Sequence, residues 1–304
     1  MIERNDELTT HKSTKVMLGG NIFGHFTNFE ETNEIISAAY DNGFRAIDTA
    51  DVYSSGLSEE YIGKSVRSRR DDWYVATKVG LGSHADPSGL GRKENIKEKI
   101  KLSLNRLSFQ YVDLYQLHHY DPDTPFEETL EALLDLLDQG FIREVGLSNF
   151  SKDNLREIEK YNLGAVPHQT ACNITIADSV VHNDGKLKVV GYSILRRGTL
   201  SAKYLEQNLP LGSRAFLSSS IRRDLTDDFL RKLGEAHIKC LPHEVLVEEL
   251  AIQWALDKSY LRFGIIGIRS LDQLKSVVKA VSMDIPRELI DTVEKIFSSD
   301  ILGN

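Results

Sequence analysis

The stretch YVDLYQLHHYDPDTPFEETLEALLDLLDQGFIREVGL, residues 111–147, spells out a strand, a helix and the start of another strand. YVDLYQLH (111–118) is a β-branched and aromatic run of strand length. Thr124-Pro125-Phe126-Glu127 reads as a capping box with proline at the first helical position, after which Phe126, Leu130, Leu133, Leu134 and Leu137 share one face. Gly140 stops that helix, and REVGL (143–147) begins the next strand.

The same rhythm runs outward in both directions. Further strands are expected at KVMLGG (15–20), FRAID (44–48), WYVATK (73–78), AVPHQ (165–169), LKVVGYS (187–193) and FGIIGI (263–268), eight in all with the two above. Helical segments lie between them: Asn28 to Gly43, a face of Ile96, Ile100, Leu104 and Leu107, and Ser151 to Gly164. Two more are expected after the last strand, at 271–282 and 286–298. Residues 201–242 are polar and irregular and read as a long loop with one short helix. Eight strand–helix pairs in 304 residues predict an α/β chain folded as a (β/α)8 TIM barrel, one domain over 1–304 without linker or repeat. An open dinucleotide-binding sheet would want GxGxxG after an early strand, and Gly19-Gly20-Asn21-Ile22-Phe23-Gly24 lacks that spacing.

Composition narrows the functions. With 45 Asp and Glu against 37 Lys and Arg the net charge is −8, and no basic run exceeds Arg69-Arg70, so neither nucleic acid nor an anionic membrane is an expected partner. The polar N-terminus and the lack of an apolar run of about 18 residues predict no targeting or spanning segment. Two cysteines, Cys172 and Cys240, make no disulfide framework and point to a reducing compartment, the cytoplasm.

In such a barrel, chemistry sits where strands end. The second strand ends in Asp48, with Tyr53 five residues on; the third ends in Lys78 and the fourth in His118. Each alone has an ordinary structural use, as turn cap, surface ring, solvated cation or core histidine. Together at one rim they suit proton transfer to or from a carbonyl oxygen. A phenol of pKa about 10 needs a cation to serve near neutral pH. Lys78 would supply it, Asp48 would orient the ammonium, and His118 would donate a hydrogen bond to the carbonyl. No metal is expected, since His118 and His119, adjacent on a strand, should point to opposite faces. Neither GxSxG nor a positioned cysteine supports a hydrolase.

At FRAIDTADVYSSGLSE (44–59), VATKVG (75–80), YVDLYQLH (111–118) and REVGLSNF (143–150) the chain resembles the aldo-keto reductase superfamily, whose barrel binds a nicotinamide cofactor. The resemblance implies a catalytic tetrad of Asp48, Tyr53, Lys78 and His118, with Tyr53 as general acid in reduction and general base in oxidation. It implies that Ser148, Asn149 and Gln169 hold the nicotinamide carboxamide and that Tyr192 stacks on the ring. Gly19, Gly20 and Asn21 resemble the cofactor-side loop of the first strand. Ser193, Leu195, Arg196 and Gly198 stand where the family usually has YSPLGxG, and Arg196 or Arg197 is a candidate phosphate contact. Gly267, Arg269 and Gln273 resemble the adenosine phosphate segment, with Arg269 favouring NADP(H) over NAD(H). The family's usual Tyr-Asn after the sixth strand is here Cys172-Asn173, and its adenine-contacting Glu-Asn pair is here Ser276-Val277.

The resemblance thus implies an NADP-dependent oxidoreductase interconverting an aldehyde or ketone, a sugar among the candidates, with its alcohol. Its partner is a small-molecule carbonyl or alcohol. Phe23, His25, His84, Tyr120 and Phe150 are the expected mouth of the pocket, each just past a strand end. The rival reading is a nicotinamide-binding regulatory or redox-sensing subunit of the same fold, similar to the channel β subunits, with little turnover.

Overall fold

A computed structural model describes residues 15–80, 90–161, 163, 166–179, 187–206 and 209–298. The eight strands are β1 (Val16–Gly19), β2 (Ala46–Asp48), β3 (Tyr74–Val79), β4 (Val112–Leu117), β5 (Ile142–Ser148), β6 (Val166–Ala171), β7 (Leu187–Tyr192) and β8 (Leu261–Ile266). Each pairs in parallel with the next, and β1 closes on β8 through Val16 with Gly264 and Leu18 with Ile266. The sheet is therefore a closed barrel without edges, as the eightfold rhythm predicted.

Alternation along the strands sorts side chains into two cores. Met17, Ala46, Ala76, Leu114, Val190, Phe263 and Ile265 fill the barrel interior. Their neighbours, such as Val16, Leu18, Ile47, Val75 and Tyr115, face outward into the shell of helices.

Helices follow the strands: α1 (Phe29–Asp41), α2 (Leu57–Val66), α3 (Lys93–Leu107), α4 (Phe126–Asp138) and α5 (Lys152–Ile158). The first is set by a capping box, with the Asn28 side chain taking the Glu31 amide and the Glu31 carboxylate taking the Asn28 amide. The expected box at Thr124 does not form. Pro125 occupies the cap position of α4, and Thr124 Oγ1 donates instead to Asp121 Oδ2 at 2.7 Å. Phe126 and Leu133 of the predicted face are buried, but Leu134 is 47% exposed, and Thr129, Ala132 and Leu136 complete the buried stripe.

Two further differences lie in the second half. After β6 the described residues carry a 3₁₀ segment, Ile174–Ser179, in place of a full helix. The C-terminal helix packs against this segment, a pairing that the strand–helix count did not foresee. The described part of 201–242 is more ordered than a loop: α6 (Arg214–Leu217) and α7 (Ser219–Arg223) precede a 14-residue helix, α8 (Asp227–Cys240). Thr226 caps α8, and Phe229, Leu233, Ala236 and Cys240 form its buried stripe, diluted in sequence by charged neighbours. Next come α9 (Val247–Leu256), α10 (Leu271–Ser282) and α11 (Arg287–Ser298), the last two close to the predicted spans. Among the described residues no helix is long and apolar enough to cross a membrane.

Candidate active site

Continuing the inward parity of the barrel core by two residues gives the site. Ala46 leads to Asp48, Ala76 to Lys78, Leu114 to Gln116 and His118, and Val190 to Tyr192. Apolar interior thus gives way to polar groups at the C-terminal ends of the strands. A cavity of about 660 Å³ opens there, lined by Asp48, Tyr53 and His118, with Lys78 fully buried beneath.

Lys78 Nζ donates to Asp48 Oδ2 at 2.7 Å, to the Thr49 carbonyl at 2.8 Å and to the Tyr53 hydroxyl at 3.2 Å. The ammonium has three donors and all three are used. Gln116 Nε2 reaches the other carboxylate oxygen of Asp48 at 3.4 Å. The rings of Tyr53 and His118 meet edge to face, 5.9 Å between centroids. The turn carrying Tyr53 is held from outside: Ser54 and Ser55 adopt positive φ of 49° and 55°, and Ser54 Oγ donates to the Phe23 carbonyl at 2.7 Å.

Burial dominates the electrostatics. It pushes the Tyr53 hydroxyl above its ordinary value, and the downward pull of Lys78 expected from the sequence does not overcome it. The carboxyl of Asp48 is raised by burial against the same cation. Lys78 is itself raised, the nearby Asp48 and Tyr53 outweighing its desolvation. His118 is lowered to about 3 by burial, then by the Lys78 and His119 charges, so its imidazole is neutral. The arrangement holds a neutral phenol and a neutral imidazole around a fixed cation.

His118 and His119 do not diverge as strand neighbours would. Strand β4 ends at Leu117, the two rings stack 5.4 Å apart, and both line the cavity. Among the described residues no group of three or more His, Cys, Asp or Glu is placed to hold a metal ion.

Ser148, Asn149, Gln169 and Tyr192 line the same wall. Asn149 adopts φ of 59°, which turns its amide so that Nδ2 donates to the His118 carbonyl and Oδ1 accepts from the Tyr192 hydroxyl at 2.9 Å. Gln169 Oε1 and His118 Nδ1 are buried without a hydrogen-bond partner. Such orphaned polar atoms in a cavity wall fit a bound amide and carbonyl.

The cavity continues past Asn21 and Gly267 to Ser193, Leu195 and Gly198, and ends among Arg269, Gln273, Ser276 and Val277. Gly20 lies behind this wall, where a Cβ would meet the Asp48 carbonyl and Ser58 Oγ at 2.8 Å; Gly19 faces the cavity. Arg196 also turns away, donating to the Asp224 carbonyl at 3.0 Å and covering the Phe229 ring, while Arg197 lines the cavity and pairs with the Asp224 carboxylate. Arg269 donates to the Gly212 carbonyl, and its amide donates to Gln273 Oε1.

Sequence reasoning missed Arg214 and Lys203, which join Arg197 and Arg269 at this end. No motif marks them, because they lie in the irregular stretch after β7. Burial lowers the Arg214 guanidinium, and the charges of Arg269 and Arg197 lower it further, as in a site built for an anion. Gln116 was missed too, although strand parity from Leu114 points to it. Of the expected mouth, Phe23 and Phe150 are buried in the helical shell, and neither Tyr120 nor His25 lines the cavity; His84 lies outside the described residues. Phe26 and His119 take their place.

The sequence model of the aldo/keto reductase family matches residues 15–297. A probable voltage-gated potassium channel subunit beta of Arabidopsis thaliana is 30% identical, over 91% of this chain and 90% of its own. The aldo-keto reductase YhdN of Bacillus subtilis is 31% identical, over 86% and 81%. Among solved structures, a glycerol dehydrogenase of Gluconobacter oxydans superposes with a TM-score of 0.79 at 25% identity, covering 94% of this chain and 92% of that one.

Proposed function

The chain belongs to the aldo/keto reductase family and is an oxidoreductase of carbonyl compounds, and from that premise we propose that Asp48, Tyr53, Lys78 and His118 are its catalytic residues and NADP(H) its preferred cofactor. The observation that carries the reading is the three-way bond of the buried Lys78 ammonium to Asp48, Thr49 and Tyr53. When bound, the nicotinamide supplies or accepts the hydride. The chain supplies everything else. Tyr53 gives its phenolic proton to the carbonyl oxygen as the alcohol forms, and the Lys78 cation stabilises the phenolate left behind. Neutral His118 donates a hydrogen bond to the same oxygen and so fixes which face of the carbonyl is presented. Oxidation of the alcohol uses the same contacts in reverse, with Tyr53 as base.

For the cofactor, Gln169 and Ser148 would take the carboxamide, Tyr192 the ring face, and Ser193, Leu195, Arg197 and Gly198 the pyrophosphate. Arg269, with Gln273 ordering its backbone, favours a 2′-phosphate, with Arg214 close enough to share the negative charge. Two buried free cysteines, Cys172 and Cys240, suit a reducing compartment such as the cytoplasm.

Titration with NADPH and with NADH, followed by quenching of Trp73 and Trp254, tests this reading. NADPH should bind more tightly, and the loaded protein should oxidise it when offered aldehydes or ketones. Failure to bind either dinucleotide sinks the proposal. Likeness to a probable channel β subunit favours a second reading, a cofactor-binding subunit with little turnover. Tight NADPH binding with no turnover across a broad carbonyl panel selects it.

A further inference from the structure

The far end of the cavity holds four cations and one carboxylate whose bonding is incomplete. Arg197, Lys203, Arg214 and Arg269 suffice for phosphates, but a dinucleotide also brings a base and a ribose whose outward groups include hydrogen-bond donors. The acceptors there are few. Gln273 Oε1 already accepts from the Arg269 amide, Val277 has no polar side-chain atom, and Ser276, whose hydroxyl proton goes to the Asp272 carbonyl, offers only a neutral oxygen, a weaker acceptor than a carboxylate.

Two glutamates at the start of α9 line this end, beside the α10 face that carries Gln273, Ser276 and Val277. Glu249 is engaged at both oxygens, by Lys279 Nζ at 2.7 Å and by the Leu246 amide at 2.9 Å. Glu248 is not. Its Oε1 takes the Ser201 hydroxyl at 3.0 Å, while Oε2 is buried without a partner. An unpartnered carboxylate oxygen withdrawn from water costs free energy until a donor reaches it, and the residue that carries this one lines the cavity.

We propose that Glu248 reads the adenosine half of the cofactor, its carboxylate accepting a hydrogen bond from an N–H or O–H donor of the nucleoside. The inference rests on the dinucleotide reading above and adds a contact that none of the residues expected from sequence supplies. It divides the far end by chemistry: anionic phosphates to the arginines, neutral donors to Glu248. A phosphate next to Glu248 would be repelled, so the residue also fixes which way round the nucleotide lies.

Affinity, not turnover, is the readout. Glu248→Ala should weaken NADPH binding by tenfold or more, with unchanged thermal unfolding of the free protein. Glu248→Gln keeps the shape and an acceptor for Ser201, so it should fold in any case and weaken binding by a smaller factor. The hypoxanthine analogue of NADPH, in which a carbonyl replaces the exocyclic amine, tells the two donors apart. If the amine is the contact, wild type binds the analogue as weakly as the alanine variant binds NADPH. If a ribose hydroxyl is the contact, the substitution weakens both dinucleotides equally. Binding of NADPH within twofold of wild type in both variants overturns the inference and leaves the function intact. Wild type that binds no dinucleotide overturns both.

Discussion

The Lys78 ammonium sits 3.2 Å from the Tyr53 hydroxyl and 4.8 Å from the centroid of the same ring. It therefore acts on the phenol at its oxygen, from beyond the hydroxyl end of the ring, and it is fixed from behind by Asp48. Tyr53→Phe removes the proton donor and leaves the cation and its other two bonds. Turnover should fall by at least about 100-fold, the range of general acid catalysis, with NADPH affinity within a few fold of wild type. Steady-state rates and a binding titration on the same preparation check this. Retained turnover would take Tyr53 out of the mechanism.

His118 sets a pH dependence whose sign comes from burial. Its folded pKa is near 3, against an ordinary value of 6.5. Between those two values the unfolded chain binds a proton that the folded chain refuses, so stability rises with pH through this window and is lost as pH falls through it. Urea denaturation at a series of pH values should show that loss, and His118→Gln should flatten the slope between pH 6.5 and 3. An unchanged slope in the variant would mean that His118 is protonated in the folded protein.

Much of this site was legible because strand period and strand ends are sequence properties. Asp48, Lys78 and His118 each end an apolar run at inward parity, and Tyr53 comes at fixed spacing after the first of them. The cation cluster was not legible in the same way. Arg214 and Lys203 come from the stretch between β7 and α9, where α8 hides its apolar stripe among charges and no period marks the chain before it. Arg196 and Arg197 are adjacent in sequence and both have positive φ, 47° and 57°. Which of them faces the cavity is decided by that backbone and by the pull of Asp224, neither of which a motif encodes. His119 was misplaced for a related reason: alternation ends where the strand ends, one residue before His118.

Arg269 tests the nucleotide preference. In the free protein both terminal nitrogens of its guanidinium are 3.3 Å from the Gly212 carbonyl, weak bonds that a phosphate can replace. A hydrogen bond to a charged group is worth about 1.5–3 kcal/mol, or roughly 10- to 100-fold in affinity. Arg269→Ala should weaken NADPH by that range and NADH by no more than a few fold. Equal losses for both would assign the residue to the Gly212 segment and not to a 2′-phosphate.

Gly63 tests the shell that holds the Tyr53 turn in place. It lies on α2, where a Cβ would stand 2.1 Å from the Leu107 carbonyl oxygen and 2.6 Å from its carbon, both backbone atoms at the end of α3. In an exposed helix, alanine in place of glycine gains up to about 1 kcal/mol. Here it must drive two helices apart, and overpacking of this kind costs about 1–3 kcal/mol or more. Because α2 begins directly after the turn that carries Tyr53, the displacement should also reach the catalytic end. Gly63→Ala is expected to lower the urea midpoint and to reduce turnover more than NADPH affinity, since the arginines and Glu248 sit on other elements. A variant as stable as wild type would show that α2 and α3 can separate at this contact without cost.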